Sequence, residues 1–346
     1  MKRILPISSI RFILAIWVFL SHFPYPILVE PQFNPFFKAA RFLLHNCFNG
    51  AAAVMAFFVI SGFCIHFPNR KGFEMPSWTA YYARRYLRII LPMAVAIGLA
   101  VPIRLKFGYY VTFILWSLVC EEIYYLIYPA LLRLRDLVGW RVLMALAWLG
   151  ALLTILTDPA AKEYHEFGLA LTWALGLPCW LLGARMAERL DSFYLRSVTD
   201  VQIWGWRCGI WILSVAFSIL RFHANVGFPW TLNIFAIAVA SWLEREISYY
   251  RQARAPRLER FGEASYSVYL THMHGAMLAS LVMVLRGPWA WWLTVLLTAL
   301  FASLFYWCVE RPSHQLARRC SHTLRRRDGT LSAIEQGQVA MEERAS

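Results

Sequence analysis

The sequence predicts an all-α, polytopic membrane protein of about ten transmembrane helices, with both termini cytoplasmic. Three observations carry that prediction. Of the 346 residues, 59% are hydrophobic and only 16% are charged, whereas soluble domains carry roughly 25% charged residues. Apolar runs of about 20 residues, enough to cross a hydrocarbon core, recur along the chain. Basic residues collect in every second connection between those runs. The net charge of +14 therefore reads as cytoplasmic loop charge and not as a nucleic-acid footprint. One large soluble core would need far more charged surface.

The first span, 7–29, follows the cationic start "MKR". Its apolar run continues past the roughly 7–15 residues of a signal peptide without a small-residue cleavage site, so it is expected to be retained. The second, 49–67, contains "AVMAFFVISGF", and the third, 87–103, is entered through "RRYLRIILP". The fourth, 110–132, carries "WSLVCEEIYYLIYP". Leu-, Ala-, Trp- and Phe-rich runs follow at 140–157, 167–184, 205–221 and 227–243. The ninth, 264–285, opens from "FGEASYSVYLTHMH", and the tenth, 288–309, closes on "VERP". All should be helices, because unpaired backbone groups are too costly in lipid. A re-entrant piece could lie between 87 and 132, where the connection into "WSL" is short.

Orientation follows from the loops. Lys2 and Arg3 lead the chain, and even-numbered connections carry Arg70, Lys71, Arg84, Arg85 and Arg88, then Arg133, Arg135 and Arg141. Arg185, Arg189 and Arg196 follow, then Arg245, Arg251, Arg254, Arg257 and Arg260. Odd connections hold only Lys38 and Arg41, Arg104 and Lys106, Lys162, Arg221 and Arg286. That alternation places both termini inside. Residues 1–310 form the membrane domain on this reading, and 311–346 a basic, polar cytoplasmic tail without an apolar face. The seven cysteines show no CxxC spacing and fall mostly in apolar runs, which argues against a metal site or a disulfide scaffold.

Ionisable residues inside spans are expensive and mark function. Arg11 and His22 lie eleven positions apart, which at about 3.6 residues per turn and 1.5 Å per residue puts both on one stripe, roughly 16 Å apart. Arg11 would sit near the cytoplasmic face and His22 much deeper. Glu121 and Glu122 stand mid-span and point about 100° apart, so each needs its own partner. Arg84, Arg85 and Arg88 open the third span. Two readings fit them: contacts to anionic lipid headgroups, or a forked cationic surface for a phosphate-rich ligand. Ser265, Tyr266, Tyr269 and His272 can meet on one side of the ninth span, with His274 facing elsewhere. Histidines at i and i+2 chelate metal poorly on a helix, and no metal site is expected. "VERP" reads as a local Glu310–Arg311 pair with a proline that ends the helix.

Taken together and in order, these motifs resemble the acyltransferase-3 family of membrane O-acyltransferases. The resemblance rests on Arg11 and His22 with their ten-residue spacing, "AVMAFFVISGF", "RRYLRIILP", "WSLVCEE…YP", "FGEASYSVYLTH" and "VERP", which cover nearly the whole chain. It implies a protein of the bacterial inner membrane that takes an acyl group, usually acetyl, from cytoplasmic acetyl-CoA or another acyl-CoA. The acceptor it implies is a hydroxyl of a surface or exported glycan, such as lipopolysaccharide or another polysaccharide, with partners in glycan assembly or export. By the same carry-over His22 is catalytic, with Arg11 and Glu121 supporting it. Arg85, Arg88 and Arg84 hold the coenzyme A phosphates, and Tyr266, His272 and Ser265 contact the acceptor. The chemistry agrees: a sugar hydroxyl is a weak nucleophile that histidine can activate near neutral pH. Glu121 is expected to orient His22 or stabilise its charged form. Buried Arg, Glu and His also suit a proton-coupled or glycan transporter, although no inverted repeat or broken helix pair is visible. A non-catalytic assembly partner is the third class.

Overall fold

The computed structural model describes residues 6–25, 34–70, 77–103, 107–251, 253, 256–282 and 288–327. Ten long helices make up most of them: α1 Ile7–His22, α2 Pro35–Asn46, α3 Gly50–His66, α4 Trp78–Ala100 and α5 Trp116–Thr157. After these come α6 Gly168–Glu188, α7 Asp200–His223, α8 Phe228–Tyr250, α9 Ser265–Val282 and α10 Pro288–Phe305. No strand occurs among the described residues. Five helical stretches are long and apolar enough to cross a membrane, counted by length and composition. Large apolar side chains point outward along them, as Leu149, Leu153 and Leu156 do on α5 at 50%, 56% and 53% exposure. Such an apolar exterior suits a hydrocarbon solvent and not water.

Each expected span coincides with a helix, with shifted ends. The first span's expected end, 26–29, lies outside the described residues. α4 begins nine residues before the predicted third span, because Ser77 caps it by accepting a hydrogen bond from Ala80 N. The fourth and fifth spans run on as one element through Gly139, whose φ of 77° breaks the helical path there. Only glycine takes that conformation freely. The span opening at 110 starts as a π-helical turn, Tyr110–Ile114, before α5 proper begins at Trp116.

Three departures matter. α2 was expected to be a loop. It forms because Asn34 caps the first turn by accepting from Phe36 N and Pro35 occupies the first helical position. The last helical stretch runs unbroken from Pro288 to Arg327, across the expected start of the tail at 311. Pro312 does not end that helix. The π-helical turn Tyr306–Glu310 widens the backbone immediately before it and accommodates the ring. The rest of the tail, 328–346, lies outside the described residues.

α3 and α6 form the innermost pair. A β-carbon on Gly62 would meet the Trp180 carbonyl oxygen at 1.9 Å, and one on Gly183 would meet the Val59 carbonyl oxygen at 1.8 Å. The two backbones therefore touch, the small-residue packing by which membrane helices associate without a hydrophobic driving force. This contact anchors α3, which lines both cavities of the site. α1 is held from the other side by a buried carboxylate. Glu259 Oε2 accepts from Ser9 N at 2.9 Å and Ser9 Oγ at 2.7 Å, at the positive end of the α1 dipole.

Candidate active site

Two cavities enter the helix bundle and meet at Val54 of α3 and Tyr269 of α9, which line both. The first encloses about 890 Å³, open solvent at its mouth included. Its charged lining comes from Arg11 of α1, Arg85 and Arg88 of α4 and Glu121 of α5, with His314 from the helix that continues α10. Three guanidinium groups thus face one carboxylate. The second is larger, about 1,730 Å³, and holds His22, His272 and the polar face of α2.

The sequence grouping is therefore split. Arg11 and His22 share α1 but open onto different cavities, Arg11 onto the first and His22 onto the second. Ser265 and Tyr266, expected beside the acceptor with His272, line the first cavity among the arginines. Ser265 Oγ is used locally, donating to Gly262 O at 2.8 Å, and Tyr266 OH donates to Ile89 O at 3.0 Å on α4. Arg84 does not line either cavity.

His22 is exposed into the second cavity. Its Nδ1 lies 2.9 Å from the Val18 carbonyl oxygen, one turn back on the same helix. A carbonyl only accepts, so Nδ1 carries the hydrogen and Nε2 is left with a free lone pair. The Val18 carbonyl, and not Glu121, is the hydrogen-bond partner of the His22 ring among the described residues. Glu121 accepts from Tyr125 OH at 3.2 Å and lies in the electrostatic reach of Arg11 and Arg85. Ser61 Oγ and Tyr125 OH are 2.8 Å apart, which ties α3 to this group. Glu122 points elsewhere, as the 100° step requires, and neither of its oxygens has a hydrogen-bond partner among the described residues.

His272 faces His22 across the cavity, with ring centroids 5.1 Å apart and planes tilted by 40°. It repeats the same tautomer logic. Its Nδ1 lies 2.6 Å from the Tyr269 carbonyl oxygen, and its buried Nε2 has no hydrogen-bond partner among the described residues. Tyr269 stands between the cavities. Its hydroxyl donates to Ile114 O at 3.1 Å and lies 2.6 Å from Ser117 Oγ, which must then be the donor of that second bond. The "WSL" stretch marks the partition, with Trp116 lining the second cavity and Ser117, Leu118 and Glu121 the first. His274 leaves the site, its Nε2 2.8 Å from the Ala96 carbonyl oxygen on α4. No group of three or more His, Cys, Asp or Glu side chains is placed to hold a metal ion among the described residues.

Several contacts here were not read from the sequence. His314 packs against Arg88, whose Nε lies 3.1 Å from His314 Nε2. Glu310 does not pair with Arg311. Its Oε2 accepts from Ser267 N at 3.0 Å and from Ser267 Oγ, capping the first turn of α9, while Arg311 lies over the Trp307 ring. Arg318 and Arg325, beyond the expected domain boundary, act on Arg84 as neighbouring charges. A separate buried network joins His66 Nε2 to Glu188 Oε1 at 3.0 Å and His66 Nδ1 to Tyr128 OH at 2.9 Å, with Arg135 and Trp140 also donating to Glu188.

The acyltransferase domain family matches residues 7–309. The chain belongs to this acyltransferase family. Among characterised relatives, Acyltransferase MdmB of Streptomyces mycarofaciens is 23% identical over 313 aligned residues that cover 78% of each chain. No solved structure matches. The family match ends within the π-helical turn at Val309, so the arginine-bearing continuation to Arg327 lies beyond it. Family membership and the apolar helices together make the chain a membrane acyltransferase.

Proposed function

We propose that this acyltransferase moves an acyl group, acetyl in the first instance, from a cytoplasmic acyl-CoA onto a hydroxyl of a surface or exported glycan. The observation that carries the reading is that two cavities of different chemistry meet at Val54 and Tyr269, with a facing pair of imidazoles in the second. The first cavity is the donor entry. Coenzyme A carries several phosphates, and Arg11, Arg85 and Arg88 supply the planar cationic donors that bind phosphate well. The alternation of loop charge supports a cytoplasmic position for this mouth, in a bacterial inner membrane on this reading. The thioester then reaches the partition at Val54 and Tyr269.

The acceptor enters the second cavity. His22 Nε2 takes the proton of its hydroxyl as that oxygen attacks the thioester carbonyl, and the coenzyme A thiolate leaves. The proton held on His22 is returned to the thiolate, which balances the transfer and regenerates the lone pair. His272 Nε2 sits on the same side and positions the acceptor. Glu121 balances the cationic wall of the donor cavity. Tyr266 and Ser265 shape that donor cavity. A chain that only transported glycans would have no use for a phosphate-binding cavity beside the one that holds its imidazole pair.

The test is direct. Membranes containing the chain are incubated with acetyl-CoA labelled in the acetyl group, and glycan is separated and counted. Label on glycan in these membranes, and none in membranes without the chain, is the expected result. Release of label into neither glycan nor free acetate would overturn the reading in favour of transport or assembly.

A further inference from the structure

The second cavity carries a feature that hydroxyl acylation does not require. One face of α2 is cationic and turned inward. Lys38, Arg41 and His45 recur at intervals of three and four residues, and all three line the cavity together with Phe42 and Asn46. The opposite face is apolar and open, with Phe36 71% and Leu43 54% exposed. A helix of this kind lies in a membrane interface with its apolar side in lipid. Its cations would then ordinarily reach headgroups, but here they roof a cavity. Asn46 fixes that rotation: it is buried, accepts from Ser218 Oγ of α7 at 2.8 Å and donates to Phe42 O at 2.9 Å.

The charge is unbalanced. No carboxylate forms an ion pair with Lys38 or Arg41 among the described residues, and Glu163, the acid that lines the cavity there, is held by Arg221 Nε at 3.0 Å. His165 and His223 add further hydrogen-bonding nitrogens around the same space.

We propose that the second cavity is built for an acceptor that carries a phosphate, gripped by Lys38 and Arg41 while His22 addresses a hydroxyl on the same molecule. A phosphate offers several acceptor oxygens and up to two charges, which suits a lysine and an arginine one turn apart better than a neutral sugar does. The phosphate has two sources of equal chemistry, a soluble sugar phosphate or a lipid-borne glycosyl phosphate. The inference rests on the acyl-transfer reading for its second half, the hydroxyl at His22, but the phosphate contact is tested separately.

The experiment uses the full chain in phosphatidylcholine nanodiscs, saturated with coenzyme A so that the cations of the first cavity are occupied. Binding of glucose, glucose 1-phosphate and decyl phosphate is measured by calorimetry, in wild type and in the Lys38→Gln/Arg41→Gln double variant. Both positions are exposed, so the variant is expected to fold. At least one phosphate probe should bind wild type about tenfold or more tighter than glucose, and the double variant should lose about tenfold or more of that affinity. Loss confined to decyl phosphate supports the proposal with a lipid-borne phosphate, and loss for glucose 1-phosphate supports it with a soluble one. Equal binding of all three probes, or phosphate binding unchanged in the double variant, overturns it. Acetyl transfer measured in parallel separates the two readings. Transfer without phosphate preference refutes this inference alone, and phosphate binding without transfer refutes the proposed reaction.

Discussion

Replacing His22 with alanine isolates the chemical step, and the structure sets both what should change and what should not. The one polar contact of the His22 side chain among the described residues is Nδ1–H to the Val18 carbonyl within its own helix. Losing it removes no tie between helices, so the stability cost should stay within about 0.5 kcal/mol, the range of substitutions away from buried networks. What is lost is the Nε2 lone pair in the second cavity. A positioned general base contributes roughly 10²–10⁴-fold, which is about 2.7–5.4 kcal/mol at about 1.36 kcal/mol per factor of ten. The donor mouth is lined by Arg11, Arg85 and Arg88 in the other cavity, so the apparent KM for acyl-CoA should not move. His272 stays in place with its own Nε2 without a partner, which leaves some turnover above background. The assay is steady-state transfer from labelled acetyl-CoA in nanodiscs, with thermal unfolding of the same preparation as the folding control. A kcat within tenfold of wild type, or a raised donor KM at unchanged kcat, would refute the assignment of His22 as base.

Three further outcomes are expected. Arg85→Ala with Arg88→Ala should raise the apparent KM for acyl-CoA at least tenfold, since each charge-assisted hydrogen bond contributes about 1.5–3 kcal/mol; saturation kinetics at fixed acceptor check this. Gly183→Ala should lower the unfolding temperature in detergent, because its methyl group would meet the Val59 carbonyl oxygen at 1.8 Å and only backbone movement relieves that clash, with overpacking costing about 1–3 kcal/mol. Arg207→Ala should destabilise by about 3–5 kcal/mol, because it strips the two bonds of 2.7 and 2.9 Å from Glu246, whose side chain is 2% exposed. Adding Glu246→Gln to that variant should recover part of the loss, read by chemical unfolding in micelles.

How much of this was legible in the sequence depends on the range of the interaction. The apolar runs marked the helices because lipid demands a continuous local signal. The spacing of Arg11 and His22 marked a polar stripe on α1 because helical geometry is local too. α2 escaped notice for the converse reason: its pattern alternates cationic and apolar faces within twelve residues, and no apolar run announces it. The two cavities were not legible at all. They depend on which helix faces which, and that is decided by contacts such as Gly183 against Val59 and Ser9 against Glu259, which are distant in the chain.

The same distinction explains why the acidic residues were misjudged. Glu310 read as a neighbour of Arg311 because the two are adjacent, and the link from Glu121 to His22 came with the family resemblance. In the fold Glu310 caps α9 and Glu259 caps α1, each carboxylate accepting from a serine N–H and hydroxyl in the first turn of another helix. A helix entering a bundle leaves its first N–H groups unpaired, and in a water-poor setting a carboxylate is a strong acceptor for them. These two acids therefore hold the pair of helices that carry His22 and His272. By setting the start of α1 and of α9, they fix the depth at which the two imidazoles meet, 5.1 Å apart. Neutralising either cap should disturb the imidazole pair through helix position, without any contact to substrate.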